Sequence, residues 1–230
     1  MAQQFVDGSA GYPWQSIVFI EALFPDGSVA FGSGVMVGPN DVLTAAHVVY
    51  AEALGGAAVE VAVTPAYDPH LGTGPFGTVH AAGLHVLGDP DPDGDGNAVA
   101  GNGGPGLEGA EQDVALLDLA VPLGESTGWM ALDPGFGAGT VNLSGYPGIY
   151  GNALTNETGF VQDDPVDWFM ATAGLEIHSG NSGGPLWYAT QQGAFVVGIV
   201  STSAAAHDLG VSSGVLAGWI QDNDALLAVA

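Results

Sequence analysis

The sequence predicts an all-β protein, built either as barrels or as a sandwich. Short apolar segments recur along the 230 residues, and turn residues separate them, including 38 Gly and 14 Pro. Few segments keep the 3.6-residue apolar period of a helix, and the two short helices predicted are Ala46–Leu54 and Leu216–Leu227. Because 47% of the residues are hydrophobic, the chain can bury one compact domain of two lobes, or two small domains sharing a cleft.

Ten segments have the length and composition of strands. Pro25-Asp26-Gly27 predicts the turn between the first two. Gly88–Glu111 is rich in Gly, Asp and Pro and is predicted to be a long loop or insertion. A boundary between lobes is predicted near Glu125–Gly128. The predicted strands are Ser16–Phe24, Val29–Val37, Ala57–Val63, Thr78–Leu87, Val114–Ala120, Gly139–Leu143, Thr158–Gln162, Trp168–Ala171, Pro185–Ala189 and Ala194–Ser201.

The charge balance is strongly acidic. The chain has 25 Asp and Glu residues but no Lys or Arg, so its formal net charge is −25. The negative electrostatic potential of such a chain disfavours nucleic acid as a partner and attracts cations and basic substrates. No apolar stretch reaches the 18 residues of a membrane span, so no membrane partner is expected. The absence of Cys excludes disulfides and a thiol nucleophile.

Three motifs carry residues suited to nucleophilic catalysis. Gly180–Leu186 places Ser182 in a Gly-flanked turn, where backbone N–H groups can point at a developing oxyanion. Leu43–Val49 places His47 after a β-like run, at the start of a helix. Asp113 precedes an apolar strand, a position suited to a buried carboxylate that holds one tautomer of a His.

These motifs resemble those of the trypsin-like serine proteases of the chymotrypsin fold. The segments Gly32–His47, Asp113–Leu119, Ser144–Gly148 and Gly180–Leu186 match the family pattern in the family order His, Asp, Ser. Gly11–Phe19 is similar to the first strand of the family, so the resemblance spans nearly the whole chain. Within the family, the chain resembles bacterial secreted enzymes of the glutamyl-endopeptidase type.

The resemblance implies a fold of two antiparallel six-stranded β-barrels with a short C-terminal helix. Residues 10–125 would form the N-terminal barrel with the His and the Asp, and residues 126–222 the C-terminal barrel with the Ser and the specificity pocket. It also implies a secreted serine endopeptidase. The first residues, Met1 to Gln4, contain neither a basic nor an apolar segment, so a signal peptide is expected to have been removed.

The resemblance also implies the role of each site residue. Ser182 would attack the scissile carbonyl, His47 would take its proton and pass it to the leaving amine, and Asp113 would orient His47. The N–H groups of Gly180 and Ser182 would form the oxyanion hole. The chemistry would need no cofactor. Asp118 is the rival acid, and the remaining His residues considered, which are not expected to be catalytic, are His70, His80, His85 and His207.

One departure from the family concerns activation. In the animal digestive relatives, an Asp immediately before the nucleophile receives the freed amino terminus. Asn181 occupies that position here. The sequence therefore predicts no activation through that ion pair.

The predicted specificity pocket is acidic. Glu176 lies six residues before the nucleophile, where the family often places the base of the pocket, and would select Lys or Arg before the cut. His178, Ser201 and Ser203 are further candidates for contact with substrate. Glutamate-selective relatives place a His where Val200 stands, which argues against glutamate. Glutamate specificity and small or apolar specificity remain the alternatives, and acidity from a saline habitat remains a competing explanation of the charge.

A cation site is a separate prediction. Asp89, Asp91, Asp93 and Asp95 alternate with turn residues, a pattern that suits the oxygen coordination of Ca²⁺. The twelve-residue calcium hand is incomplete, because no start at these positions ends in Glu. A solvated loop is the alternative.

Two other classes of protein compete with a secreted enzyme that acts on polypeptides. A non-catalytic binding protein on the protease scaffold would usually lose a triad member, whereas all three are present. A periplasmic quality-control protease would usually add a peptide-binding domain, whereas this chain ends soon after Trp219.

Overall fold

The computed structural model describes residues 3–88, 110, 112–164, 169–172 and 174–227. Most of its regular structure is strand, which confirms the predicted all-β class. The strands are β1 (Gln4–Phe5), β2 (Ile17–Leu23), β3 (Val29–Met36), β4 (Asp41–Thr44), β5 (Tyr50–Ala51), β6 (Gly56–Ala57), β7 (Glu60–Pro65), β8 (Val79–Val86), β9 (Ala115–Leu119), β10 (Ala131–Leu132), β11 (Ala138–Gly145), β12 (Thr155–Asp164), β13 (Phe169–Ala171), β14 (Pro185–Thr190), β15 (Gly193–Val200) and β16 (Ala205–Asp208). The helices are α1 (Ala46–Val49), α2 (Gly124–Thr127) and α3 (Leu209–Leu227).

The first barrel closes in the order β2-β3-β4-β9-β8-β7, with every neighbouring pair antiparallel. β2 pairs with β3 on one side and β7 on the other, and Ile17 to Ile20 are almost fully buried. β9, which is buried along its length, lies between β4 and β8. Because β4 and β9 are direct neighbours, residues at the end of β4 and just before β9 lie at the same end of the barrel.

The second barrel closes in the order β12-β11-β14-β15-β16-β13, and the pairing of β12 with β13 completes the circle. The two closed six-stranded barrels and the C-terminal helix confirm the chymotrypsin-like fold. Two short strands lie outside the circle. β1 adds to the edge of β12, so the N-terminal segment attaches to the second barrel before the chain enters the first.

Both predicted helices have different bounds in the structure. α1 ends at Val49, because the chain turns back in the β5–β6 hairpin, which Gly55 and Gly56 allow with φ of 99° each. α3 begins at Leu209, earlier than the predicted Leu216, and both leucines are fully buried.

The larger core cluster crosses from one barrel to the other. Tyr146, next to β11, is fully buried and donates a hydrogen bond to the Ile17 carbonyl in β2 (3.1 Å). Trp14 and Trp187 meet edge to face at 5.3 Å between their ring centroids. The cleft between the barrels is therefore fixed by direct packing. Within the described residues, no helix is both long and apolar enough to cross a membrane.

Candidate active site

The first barrel brings His47 and Asp113 together. Thr44 of β4 pairs with Ala115 of β9, His47 follows β4 within α1, and Asp113 precedes β9. Asp113 Oδ2 lies 2.7 Å from His47 Nδ1, and Asp113 Oδ1 accepts a hydrogen bond from the His47 backbone N–H at 2.9 Å. The carboxylate therefore fixes both the ring and the backbone of His47, and the other ring nitrogen, Nε2, has no protein partner among the described residues.

The environment of Asp113 favours its charged form. Burial of the carboxylate favours the neutral form, but the charge of His47 and the hydrogen bonds from His47 and Ser201 outweigh burial and lower the pKa of Asp113. Ser201 contributes through its hydroxyl, which donates to Asp113 Oδ2. For His47, burial acts to lower the pKa, and the charge and hydrogen bond of Asp113 outweigh it, so that the pKa of His47 is raised. A neutral His47 can thus accept a proton and hold it next to a carboxylate.

Ser182 lies in the segment between β13 and β14 of the second barrel, which packs against the first barrel. The Ser182 carbonyl accepts from Ser33 N–H of the first barrel (2.8 Å), and Gly183 N–H donates to Val200 carbonyl (2.8 Å). A Cβ on Gly183 would lie 2.1 Å from Thr44 Oγ1 and 3.0 Å from the Ala45 nitrogen. Only a glycine lets the Ser182 segment approach so closely the backbone that leads into His47.

The backbone before Ser182 is shaped for an oxyanion. Gly180 has φ of +97°, and a Cβ there would lie 2.5 Å from the Tyr146 carbonyl. Its own carbonyl is turned away and accepts from Ser33 Oγ at 2.6 Å. Among the described residues, the N–H groups of Gly180 and Ser182 donate no hydrogen bond, so both can serve a developing negative charge.

The predicted pocket residues differ in their exposure and in the groups that they contact. Glu176 is exposed, and its backbone N–H donates to Oε2 of Glu157 at 2.8 Å. His178 is half-buried and meets the Tyr150 ring edge to face at 6.0 Å. Ser203 is exposed, whereas Ser201 is buried and bonded to Asp113.

Several polar residues at the site were missed by sequence reasoning. Glu157 on β12 is only 2% exposed although it is a carboxylate, and it lies directly behind Glu176. Ser33 on β3 links the barrels by donating to the Gly180 carbonyl and accepting from Tyr146 N–H. Gln3 is also buried against this region. Gln3 and Glu157 stand in no family motif. Ser33 lies within the matched segment Gly32–His47, but the burial of an isolated polar residue has no signal in a single sequence.

The other His residues lie in separate contacts. Asp118 is the rival acid, and its Oδ2 lies 2.9 Å from His85 Nε2. The His85 ring stacks on the Trp219 ring. His207 is buried and contacts the Ala110 carbonyl and Ser212. His80 lies 3.0 Å from Glu60 on the surface. The structure thus pairs Asp113, and not Asp118, with His47.

The predicted calcium ligands Asp89, Asp91, Asp93 and Asp95 lie outside the described residues. Within the part of the chain that is described, no group of three or more His, Asp or Glu residues is arranged to hold a metal ion.

Comparison with known proteins identifies the family. The trypsin family model matches residues 5–220 of this chain. The chain therefore belongs to the trypsin family. This confirms the resemblance that the three motifs indicated.

Individual proteases are similar to this chain in sequence or in fold. The chain is 26% identical over 216 residues to a glutamyl endopeptidase of Bacillus licheniformis, and the match covers 91% of this chain and 59% of the relative. Among solved structures, protease Anisep from Arthrobacter nicotinovorans has a TM-score of 0.68 at 20% identity, with 90% of this chain and 93% of that chain covered. A Glu endopeptidase structure has a TM-score of 0.67 at 19% identity, with 94% and 95% covered. These structural likenesses concern the fold.

Proposed function

We propose that the protein is an endopeptidase that hydrolyses peptide bonds through an acyl-enzyme on Ser182. The observation that carries this proposal is the His47–Asp113 pair, at 2.7 Å, together with the packing of Gly183, next to Ser182, against Thr44 and Ala45 before His47. His47 Nε2 takes the hydroxyl proton as Ser182 Oγ bonds to the carbonyl carbon. The N–H groups of Gly180 and Ser182 stabilise the oxyanion, and His47 then protonates the leaving amine. Water then attacks the acyl-enzyme through the same proton transfers to His47 and back to Ser182, which releases the acid product, and no cofactor takes part.

Labelling with a fluorophosphonate probe tests the nucleophile. The wild type should be labelled once, at Ser182, and should cleave a denatured protein substrate. Ser182→Ala should lose both properties, with kcat falling by about 10⁴-fold or more. Ser179→Ala is the matched control, because Ser179 is exposed in the same segment and should keep both. A correctly folded wild type that is neither labelled nor active would instead support a non-catalytic binding protein.

We propose a preference for Lys or Arg before the scissile bond, with Glu176 as the recognising carboxylate. It is supported by the position of Glu176 six residues before Ser182 and by a surface without any positive side chain except His. Glutamate preference is the second candidate, because the Bacillus relative is named a glutamyl endopeptidase. Val200, where glutamate-selective relatives carry a His, argues against it, and the exposure of Glu176 weakens the first candidate.

A peptide library that varies the residue before the scissile bond distinguishes the candidates. Basic preference predicts cleavage after Lys and Arg, and Glu176→Gln should lower kcat/KM on those peptides by about 10- to 100-fold. Glu125→Gln, an exposed carboxylate outside the site, is the control. Cleavage after Glu, or after small and apolar residues with no effect of Glu176→Gln, would reject the basic preference.

We also propose that the enzyme is secreted and acts on polypeptides outside the cell, with neither nucleic acid nor membrane as a partner. The support is the resemblance to secreted bacterial enzymes and a net charge of −25, which repels polyanions. Fractionation of the source culture tests it. Recovery of the protein only from washed cells would contradict secretion.

The calcium site predicted at Asp89, Asp91, Asp93 and Asp95 is a separate proposal. If it binds Ca²⁺, then Ca²⁺ added to the protein after chelation should raise the melting temperature.

A further inference from the structure

A glutamine outside the proposed catalytic groups is buried against the backbone that precedes Ser182. Gln3 is 8% exposed, and its side-chain amide makes three hydrogen bonds, all of them to residues of the second barrel. Its Nε2 donates to Asn181 Oδ1 at 2.9 Å and to the Glu176 carbonyl. Its Oε1 accepts from Thr155 Oγ1 at 2.8 Å. One side chain therefore joins the residue six positions before Ser182 to the residue immediately before it.

The backbone between these two points is the part that must be ordered. Asn181 Oδ1 also accepts from His178 N–H at 3.0 Å, and Asn181 N–H donates to the His178 carbonyl at 2.9 Å. This turn fixes Gly180, whose N–H is one of the two proposed oxyanion donors. Asn181 is fully buried, so a polar partner for its Oδ1 has to come from the protein. Gln3 supplies a second such partner, beside the His178 N–H.

The N-terminal segment is held in place independently of this side chain. Gln4 pairs with Asn156 and Phe5 with Thr155, so β1 adds to the edge of β12 through its backbone. Val6 N–H donates to the Leu154 carbonyl at 2.9 Å. The Gln3 amide is thereby presented to residues 176–182 from a fixed strand, as a preorganised contact.

We infer that Gln3 is a positioning residue that holds residues 176–182 in the conformation that forms the oxyanion hole. The inference deepens the proposed function and rests on it. The contact is made by a neutral amide on a side chain. It therefore requires neither a charged amino terminus nor a carboxylate before the nucleophile, in agreement with Asn181 at that position. A neutral contact also does not titrate with pH.

Gln3→Ala tests the inference against the matched control Gln4→Ala. Gln4 is the adjacent residue on β1, carries the same side chain and is exposed. Gln3→Ala should lower kcat on a peptide substrate by about 10- to 100-fold, because a displacement of about 1 Å at a reacting group can cost about 100-fold. KM should stay within about threefold. Gln4→Ala should leave both constants unchanged. Equal kcat values for the two variants, with both folded, would overturn the inference.

Gln3→Glu provides a pH-dependent test that a merely structural role would not pass. A charged Glu at this position keeps the acceptor for Thr155 but places negative charge against Asn181 Oδ1 and the Glu176 carbonyl. The titratable groups nearby are Glu157, Glu176 and His178. The ratio of kcat for Gln3→Glu to wild type should therefore fall as pH rises and recover as pH falls, because a protonated Glu can donate again. A ratio that does not change with pH would overturn the inference, even if Gln3→Ala cannot be folded.

The two levels of proposal fail in distinguishable ways. If the wild type is neither labelled by the fluorophosphonate nor active, the proposed function is wrong. If the wild type is labelled and active while Gln3→Ala and Gln3→Glu match it at every pH, only the positioning role is wrong.

Discussion

The two barrels hold their halves of the site by different means. In the first barrel, His47 and Asp113 lie next to paired buried strands, His47 three positions after the end of β4 and Asp113 two positions before the start of β9. In the second barrel, Ser182 lies in a glycine-rich segment between β13 and β14, outside any strand. That segment is held by hydrogen bonds from neutral side chains, chiefly Ser33 and Gln3.

The difference teaches where each half is vulnerable. The His47–Asp113 contact depends on strand pairing and on a charge held in a buried place, so it should respond most to changes of charge. The Ser182 segment depends on close backbone approach and on amide contacts, so it should respond most to added volume or lost donors.

The largest expected effect is in the first barrel. Asp113→Asn should lower kcat by about 10⁴-fold, because an amide cannot hold the same His47 tautomer or stabilise its protonated form. Asp118→Asn is the matched control, since Asp118 also contacts a His ring but one at a different place. Steady-state kinetics on one peptide substrate measures both. Losses of similar size in the two variants would show that Asp113 is not the triad acid.

The next effect tests the second barrel. Gly180→Ala should lower kcat by about 10²- to 10³-fold, because its Cβ would meet the Tyr146 carbonyl at 2.5 Å and displace an oxyanion donor. Gly27→Ala has a similar φ of +88° and no atom within 4 Å of the new Cβ.

Gly27→Ala therefore measures the cost of the backbone strain alone, which should appear as about 1 kcal/mol of stability and no change in kcat. If Gly180→Ala keeps wild-type kcat, the proposed oxyanion hole is misplaced.

The comparison of barrels also explains how far the sequence could predict the fold. The long strands β2 and β3 were predicted almost to the residue, because β2 is a run of mostly buried apolar residues and β3 begins and ends with apolar residues. β4 and β16 were missed. Each has only four residues and contains an Asp, so its composition does not identify it as a strand. Pairing with neighbouring strands makes these segments strands.

The candidate site divides in the same way. His47, Asp113 and Ser182 are predictable because each stands in a motif with a chemical reason for its flanking residues. The contacts that position them were not predictable. The bond from Gln3 to Asn181 joins residues 178 positions apart, and Ser201 to Asp113 joins residues 88 apart. The first pair is created where the N-terminal segment adds to the second barrel and the second pair where the barrels meet, and no local pattern records either of them.

A pH profile sharpens the electrostatic side of the comparison. His47 must be neutral to accept a proton, so kcat/KM should rise with pH through an apparent pKa above the ordinary value of about 6.5. Asp113 causes the increase, because burial by itself lowers the pKa of His47. The residual activity of Asp113→Asn should therefore rise through an apparent pKa below about 6.5. Asp118→Asn should keep the wild-type profile, and an unchanged profile in Asp113→Asn would contradict the assignment.

The smallest expected effect concerns a buried charge in the first barrel that has no role in the proposed chemistry. Asp41 of β4 is fully buried opposite Asp118 of β9, and its Oδ1 accepts from Asn223 Nδ2 in α3 at 2.8 Å. Its Oδ2 has no hydrogen bond among the described residues. Burial, together with the charges of Asp224 and Asp118, raises the pKa of Asp41 to about 6.

The sign of its contribution follows from this direction. Between the unfolded pKa of about 3.9 and about 6, the folded state binds the proton more tightly, so this group makes the free energy of unfolding fall as pH rises, and the loss is complete above about pH 6. Relative to wild type, Asp41→Asn should gain about 1–2 kcal/mol of stability between about pH 4.5 and pH 7, measured by urea unfolding. Glu52→Gln, at an exposed turn, should show no such pH-dependent gain. If both variants follow the wild type at every pH, burial in the first barrel does not impose the electrostatic cost that distinguishes it from the amide-held segment of the second.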